Sequence, residues 1–206
     1  MKMVLRCFIF ILGLFFMGLG ISLITKSNLG TSPISSVPYE LSLIFPITIG
    51  EFTFLLSLVF IVIEILILRK NFPKEQTLQV FVGPFFGIFI DLGMYLFRFV
   101  NPQYFGEKML ALLLGCVVLA LGIYLQIAAN VIANPGEAVV KTIANKIKKE
   151  FGTIKVIFDA TLFIIAAAIS LSAFGTVQGL GVGTVISALI VGYLTRFFGF
   201  FFKWLM

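Results

Sequence analysis

Asn28-Leu29-Gly30-Thr31-Ser32-Pro33 interrupts an otherwise apolar N-terminal run, and Asn130-Val131-Ile132-Ala133-Asn134-Pro135-Gly136-Glu137 interrupts a second apolar run 102 residues later. Sliding residues 12–50 onto 114–152 without a gap gives ten identities in 39 positions. Leucine and isoleucine matches come cheaply in such a chain. The pairs Gly13/Gly115, Gly20/Gly122, Asn28/Asn130, Pro33/Pro135 and Gly50/Gly152, all in one register, do not. The chain reads as an internal duplication, with repeat 1 at about 1–103 and repeat 2 at about 104–206 of a single membrane domain.

Composition sets the class. Of 206 residues 60% are hydrophobic and 12% charged, and the mean hydropathy is +1.14; a soluble domain is about a quarter charged. At about 20 residues per span, the length accommodates six helices and no separate soluble domain. The basic-then-apolar start resembles a signal peptide, but its apolar run passes Gly20 without a small-residue cleavage site, so it is expected to be the first span. Cys7 and Cys116 lie in apolar runs, where a thiol acts as a small hydrophobe. There is no histidine and no cysteine pair at ligand spacing. No metal site or cofactor is expected.

The spans are expected at about 4–25, 50–69, 78–99, 109–130, 154–173 and 182–204. With the N-terminus in the cytoplasm, twelve basic residues (Lys2, Arg6, Arg69, Lys70, Lys74, Lys141, Lys146, Lys148, Lys149, Lys155, Arg196 and Lys203) lie towards the inner side. Lys26, Arg98 and Lys108 lie outside, a positive-inside bias that puts both termini in the cytoplasm. The net charge of +6 is explained by that placement and by anionic lipid, without nucleic acid. Three spans per half is an odd number, so the repeats enter the membrane from opposite faces. The expected fold is an all-α bundle of six transmembrane helices in two inverted three-helix repeats, each with a broken or re-entrant segment.

A short helix should follow each break. Ser32 can cap the first with Pro33 at its first position, and Asn134, Pro135 and Glu137 fit a capping box with asparagine as the cap. These helix starts offer backbone N–H groups beside Asn28, Thr31, Ser32, Asn134 and Glu137, which suit a small polar solute. The alternative is that the side chains only cap helices at the surface.

Charges inside apolar spans are the other candidates, because each costs about 2.5–3.5 kcal/mol at a helix centre. There are four. Glu64 lies near Arg69 and is expected to be solvated or paired at the inner boundary. Asp91 sits mid-span, and matching Gly87 to Gly192 places Arg196 at the equivalent position, so the two could pair. Asp159 is one turn beyond Lys155, a self-neutralising spacing, or it lines a polar path. Glycines at 83, 87, 175, 179, 181 and 183 suit close helix packing.

At Leu29-Gly30-Thr31-Ser32-Pro33, Pro135-Gly136-Glu137, Lys155 through Asp159 and Gly181-Val182-Gly183-Thr184, the chain resembles the YczE/YyaS/YitT group of bacterial multi-pass membrane proteins. The resemblance implies a plasma-membrane protein of about six spans and carries over no substrate or catalytic residue. The expected function is transport or facilitated passage of a small polar or charged solute, with no enzymatic activity. Its site would be built from Asn28, Thr31, Ser32, Asp91, Asn134, Glu137, Asp159 and Arg196. The partners would be the solute, membrane lipid and a second copy or a transport subunit. The rivals are a binding subunit of a larger, ATP-driven complex and a non-transporting scaffold.

Overall fold

The computed structural model describes residues 3–201, and of residues 74 and 75 the backbone only. Lys2 and Lys203, counted above as inner-side charges, lie outside the described residues. Eight α-helices follow one another: α1 (Met3–Lys26), α2 (Pro33–Ile44), α3 (Ile49–Leu68), α4 (Gln79–Leu96), α5 (Phe105–Ala129), α6 (Pro135–Ile147), α7 (Phe151–Phe174) and α8 (Val182–Phe201). Short 3-10 turns link α3 to α4, and the described residues contain no strand. Six helices, all but α2 and α6, are long and apolar enough to cross a membrane. They fall where apolar runs of sufficient length require them, within a few residues of expectation.

α1 and α5 form the central seam. A Cβ on Gly13 would come within 2.9 Å of the Gly122 carbonyl oxygen, and one on Gly115 within 3.0 Å of the Gly20 carbonyl. The two helices therefore run antiparallel with their backbones nearly touching, which only glycine permits at these positions. Arg6 Nε donates to the Ala129 carbonyl at 2.9 Å, closing the seam at one end. Leu14, Ile21, Leu112, Cys116 and Ala120 fill the space around it, each at most 1% exposed.

The remaining helices dress this seam. α4 lies parallel to α1, with Phe89 against Gly18 and Gly93 against Ser22, and the Ser22 hydroxyl donates to the Ile90 carbonyl at 2.8 Å. α3 runs antiparallel to α4, with Gly50 against Gly87 and Phe54 against Gly83. α5 packs on α8, α2 on α7 and α3, and α6 on α3 and α7. α7 and α8 hardly touch each other among the described residues. At most a quarter of either helix is buried: Ile154, Leu162, Ala166 and Ser170 on α7, and Gly183, Thr184, Ser187 and Val191 on α8.

These contacts define two faces. The C-terminal end of α1 and the first turn of α8 share one, since the Gly183 N–H donates to the Leu29 carbonyl at 2.8 Å. The opposite face holds the start of α1 and the end of α5. α2 starts in the interior, where the Ser36 hydroxyl lies 3.5 Å from the Leu162 carbonyl midway along α7. It then runs out to the first face, where α3 begins. α6 starts in the interior and runs to the second.

Candidate functional site

Each break begins by stopping a helix. Asn28 and Asn130 take left-handed backbone, with φ of 56° and 46°, a conformation asparagine tolerates better than most residues. Both side chains are exposed. The repeated asparagines thus end α1 and α5, and they stand apart from the interior groups described next.

Beyond Asn28 the chain turns inward. The Ser32 backbone is extended, at φ −70° and ψ 149°, and Pro33 occupies the first position of α2. The expected cap is corrected in one respect: the Ser32 hydroxyl makes no bond to the helix N–H groups. It pairs instead with the Ser35 hydroxyl at 2.5 Å. Ser35 also meets Thr31 at 3.0 Å, and Thr31 meets Thr25 of α1 at 2.7 Å. This buried chain of hydroxyls satisfies the first break from within.

The second break is less complete. Asn134 caps α6, its Oδ1 accepting from the Gly136 N–H at 3.3 Å, but the expected reciprocal box with Glu137 does not form. Only 3% of Asn134 is exposed, and its Nδ2 has no hydrogen-bond partner. A buried amide donor left unmade costs about 1–3 kcal/mol. The first break has no such orphan.

The two breaks meet. A Cβ on Gly136 would strike the Ile34 Cδ1, so the first turns of α2 and α6 touch. Ser35 and Asn134 line one cavity of about 10 Å³, together with Ile21, Thr53, Ser57 and Phe60. That is room for about one water. Two helix N-termini, whose leading N–H groups carry partial positive charge, converge on it with the free Asn134 amide. The arrangement accepts a hydrogen-bond acceptor.

The charged candidates sit elsewhere. Asp91 is spent on structure: its Oδ1 accepts from the Gly50 N–H at 2.9 Å and its Oδ2 from the Thr48 hydroxyl at 2.7 Å, so it caps the start of α3. Arg196 is exposed. The expected Asp91–Arg196 pair is absent, and among the described residues Lys155–Asp159 is the one ion pair, at 2.6 Å. That pair confirms the self-neutralising spacing on α7. Glu137 lies half-buried on the first turn of α6. Burial pushes its carboxyl upward, with Lys155 pulling it back and Asp159 adding to the rise.

The sequence reading misplaced one buried group and missed two. Glu64 is neither solvated nor paired with Arg69: it is 0% exposed and accepts from the Thr142 hydroxyl at 2.9 Å. Glu40 of α2 and Gln79 of α4 are also 0% exposed. The signal for Glu40 was a lone carboxylate within Ile34–Phe45, a run too short to count as a span.

A family model described as a family of unknown function, DUF6198, matches residues 4–199. The chain is 26% identical over 199 residues to the uncharacterized membrane protein YczE of Bacillus subtilis (strain 168), covering 95% of this chain and 86% of that one. It is 26% identical over 194 residues to the uncharacterized protein YyaS of the same organism, covering 91% and 89%. No solved structure matches the chain.

Proposed function

We propose, for a chain that belongs to the DUF6198 family, that this multi-pass membrane protein is a transporter or facilitator of a small polar solute, which passes where α2 and α6 meet. The carrying observation is the small cavity lined by Ser35 and Asn134, beside the contact of Ile34 with Gly136. Helix starts facing one another inside a membrane, with the unspent Asn134 amide beside them, need a reason to exist. A solute bearing a carbonyl, hydroxyl or carboxylate oxygen supplies one.

The inverted arrangement of the halves has its own support. Gly13 faces Gly122 and Gly20 faces Gly115, while the 102-residue offset pairs Gly13 with Gly115 and Gly20 with Gly122. Contacts in which residue i meets the mate of j, and j the mate of i, are what a two-fold axis produces. Ile34 and Gly136, equivalent under the same offset, would meet on that axis. In this reading both termini face the cytoplasm of a bacterial cell, as the basic residues suggest.

The test is flux. Purified protein in liposomes should speed the swelling driven by a panel of glycerol, urea, small monocarboxylates and neutral amino acids, relative to empty liposomes. Asn134→Leu should abolish the gain for whichever solute shows it. A panel that moves no faster than through bare lipid would remove the transport reading. A second reading, a subunit working with another membrane protein, draws on the sparsely packed α7 and α8. Recovery of a second polypeptide in fixed ratio from native membranes would favour it.

A further inference from the structure

Among the described residues, Glu64 and Glu40 are the two carboxylates that the bundle buries completely, and neither the ion pair nor the cavity uses them. They sit at opposite ends of the interior. Glu64 lies on the last turns of α3, against α6 and α4, towards the face where α5 ends. Glu40 lies on the last turns of α2, against α7 and the loop before α8, towards the face where α1 ends. Each therefore closes the outer end of a short helix, one per face.

Among the described side chains, neither has a cation at ion-pair distance. Thr142 donates to Glu64 Oε1 at 2.9 Å, while Oε2 and both polar atoms of Gln79 are buried without partners. The Gln79 side chain lies beside the same carboxyl, and Lys141 and Lys146 of α6 are exposed. Both oxygens of Glu40 lack a partner. Around it are the Ser170 hydroxyl of α7, Gly179 and its neighbour Tyr39, the titratable group that feels it. The Ser170 hydroxyl hydrogen is directed at the Thr176 and Gln178 carbonyls.

An unpaired carboxylate in such surroundings costs several kcal/mol. One proton removes the charge and gives each site a donor, so fewer buried atoms are left without a partner. A protonated carboxyl gains an O–H donor, which at Glu64 finds the Gln79 carbonyl oxygen and at Glu40 the remaining lone pair of Ser170. Burial pushes the Glu40 carboxyl upward.

We propose that Glu64 and Glu40 are proton-binding sites, one towards each face, and that α6 and α2 seat on the bundle only while their respective carboxyls are protonated. When either site opens to water, the proton leaves to that water and the carboxylate holds the helix off. The proposal stands without the transport reading, since it concerns the carboxyls alone.

Infrared spectroscopy of the full chain in lipid nanodiscs tests it. At neutral pH the C=O stretch of protonated carboxyls should be present, should shift in D2O, and should lose separate components in Glu64→Gln and Glu40→Gln. Glutamine imitates the neutral acid, so both variants should fold. In a background of Cys7→Ser and Cys116→Ala, labelling by N-ethylmaleimide of Ala144→Cys on α6 and Ala166→Cys on α7 reads the seating. Labelling, divided at each pH by that of the same cysteine in the unfolded chain to remove the thiol's own titration, should rise several-fold as pH is raised, and Glu64→Gln should flatten the rise at 144. Glu40→Gln should flatten it at 166. Carboxyl bands identical in parent and variants at neutral pH would overturn the proton sites. A rise in labelling that persists in the glutamine variants would overturn the seating role.

Discussion

In the proposed duplication the α3–α4 pair and the α7–α8 pair hold matching places, yet one is shut and the other is ajar. A Cβ on Gly50 would land on the Gly87 carbonyl and within 2.6 Å of the Asp91 carboxyl carbon. The matching Gly152 has only a Glu150 oxygen at 3.9 Å, and nothing lies within 4 Å of Gly192. Asp91 fastens the first pair by capping α3, whereas Arg196, its match, is exposed. Two glycines permit a close crossing; a capping group is what draws the helices into it.

The contrast breaks most readily at the glycines. Gly87→Leu should cost about 3 kcal/mol, by forcing α3 from α4, and Gly192→Leu less than about 0.5 kcal/mol, measured by thermal unfolding in detergent. Equal losses would mean that α7 and α8 close in solution as α3 and α4 do. The fastening groups give a smaller difference. Asp91→Ala should lower stability by about 1–2 kcal/mol and Arg196→Ala by no more than about 0.5 kcal/mol. A comparable loss at Arg196 would reveal a partner for it. The smallest effect concerns where the halves agree: Asn28→Val and Asn130→Val should each cost about 1 kcal/mol, because both residues hold left-handed backbone. Glycine at either position should cost only a few tenths. Unequal costs would show that one asparagine does more than end a helix.

The spans were legible because long charge-free runs admit one reading in a bilayer. The pairing of the breaks was legible because Pro33 and Pro135 stand in one register with the glycines of the seam. What sequence hid was supplied by residues far along the chain. Glu64 read as a boundary charge from its distance to Arg69, but α6 folds back over it and brings Thr142, 78 positions away. Asp91 read as half of an ion pair, although the N–H group that takes its charge lies 41 positions earlier. Asn28 was read as a ligand from its recurrence. Its backbone angle, which no composition reveals, gives it another task.

The seam of α1 and α5 bears on how the molecule is made. The glycine face of α1 is complete early in synthesis, but its counterpart leaves the ribosome only after about a hundred further residues, several seconds at ordinary rates. Until then the first half waits in lipid with its most extensive helix contact unmade. A chain arrested before α5 should therefore remain open to proteases and quality control, because closing the seam awaits one particular helix.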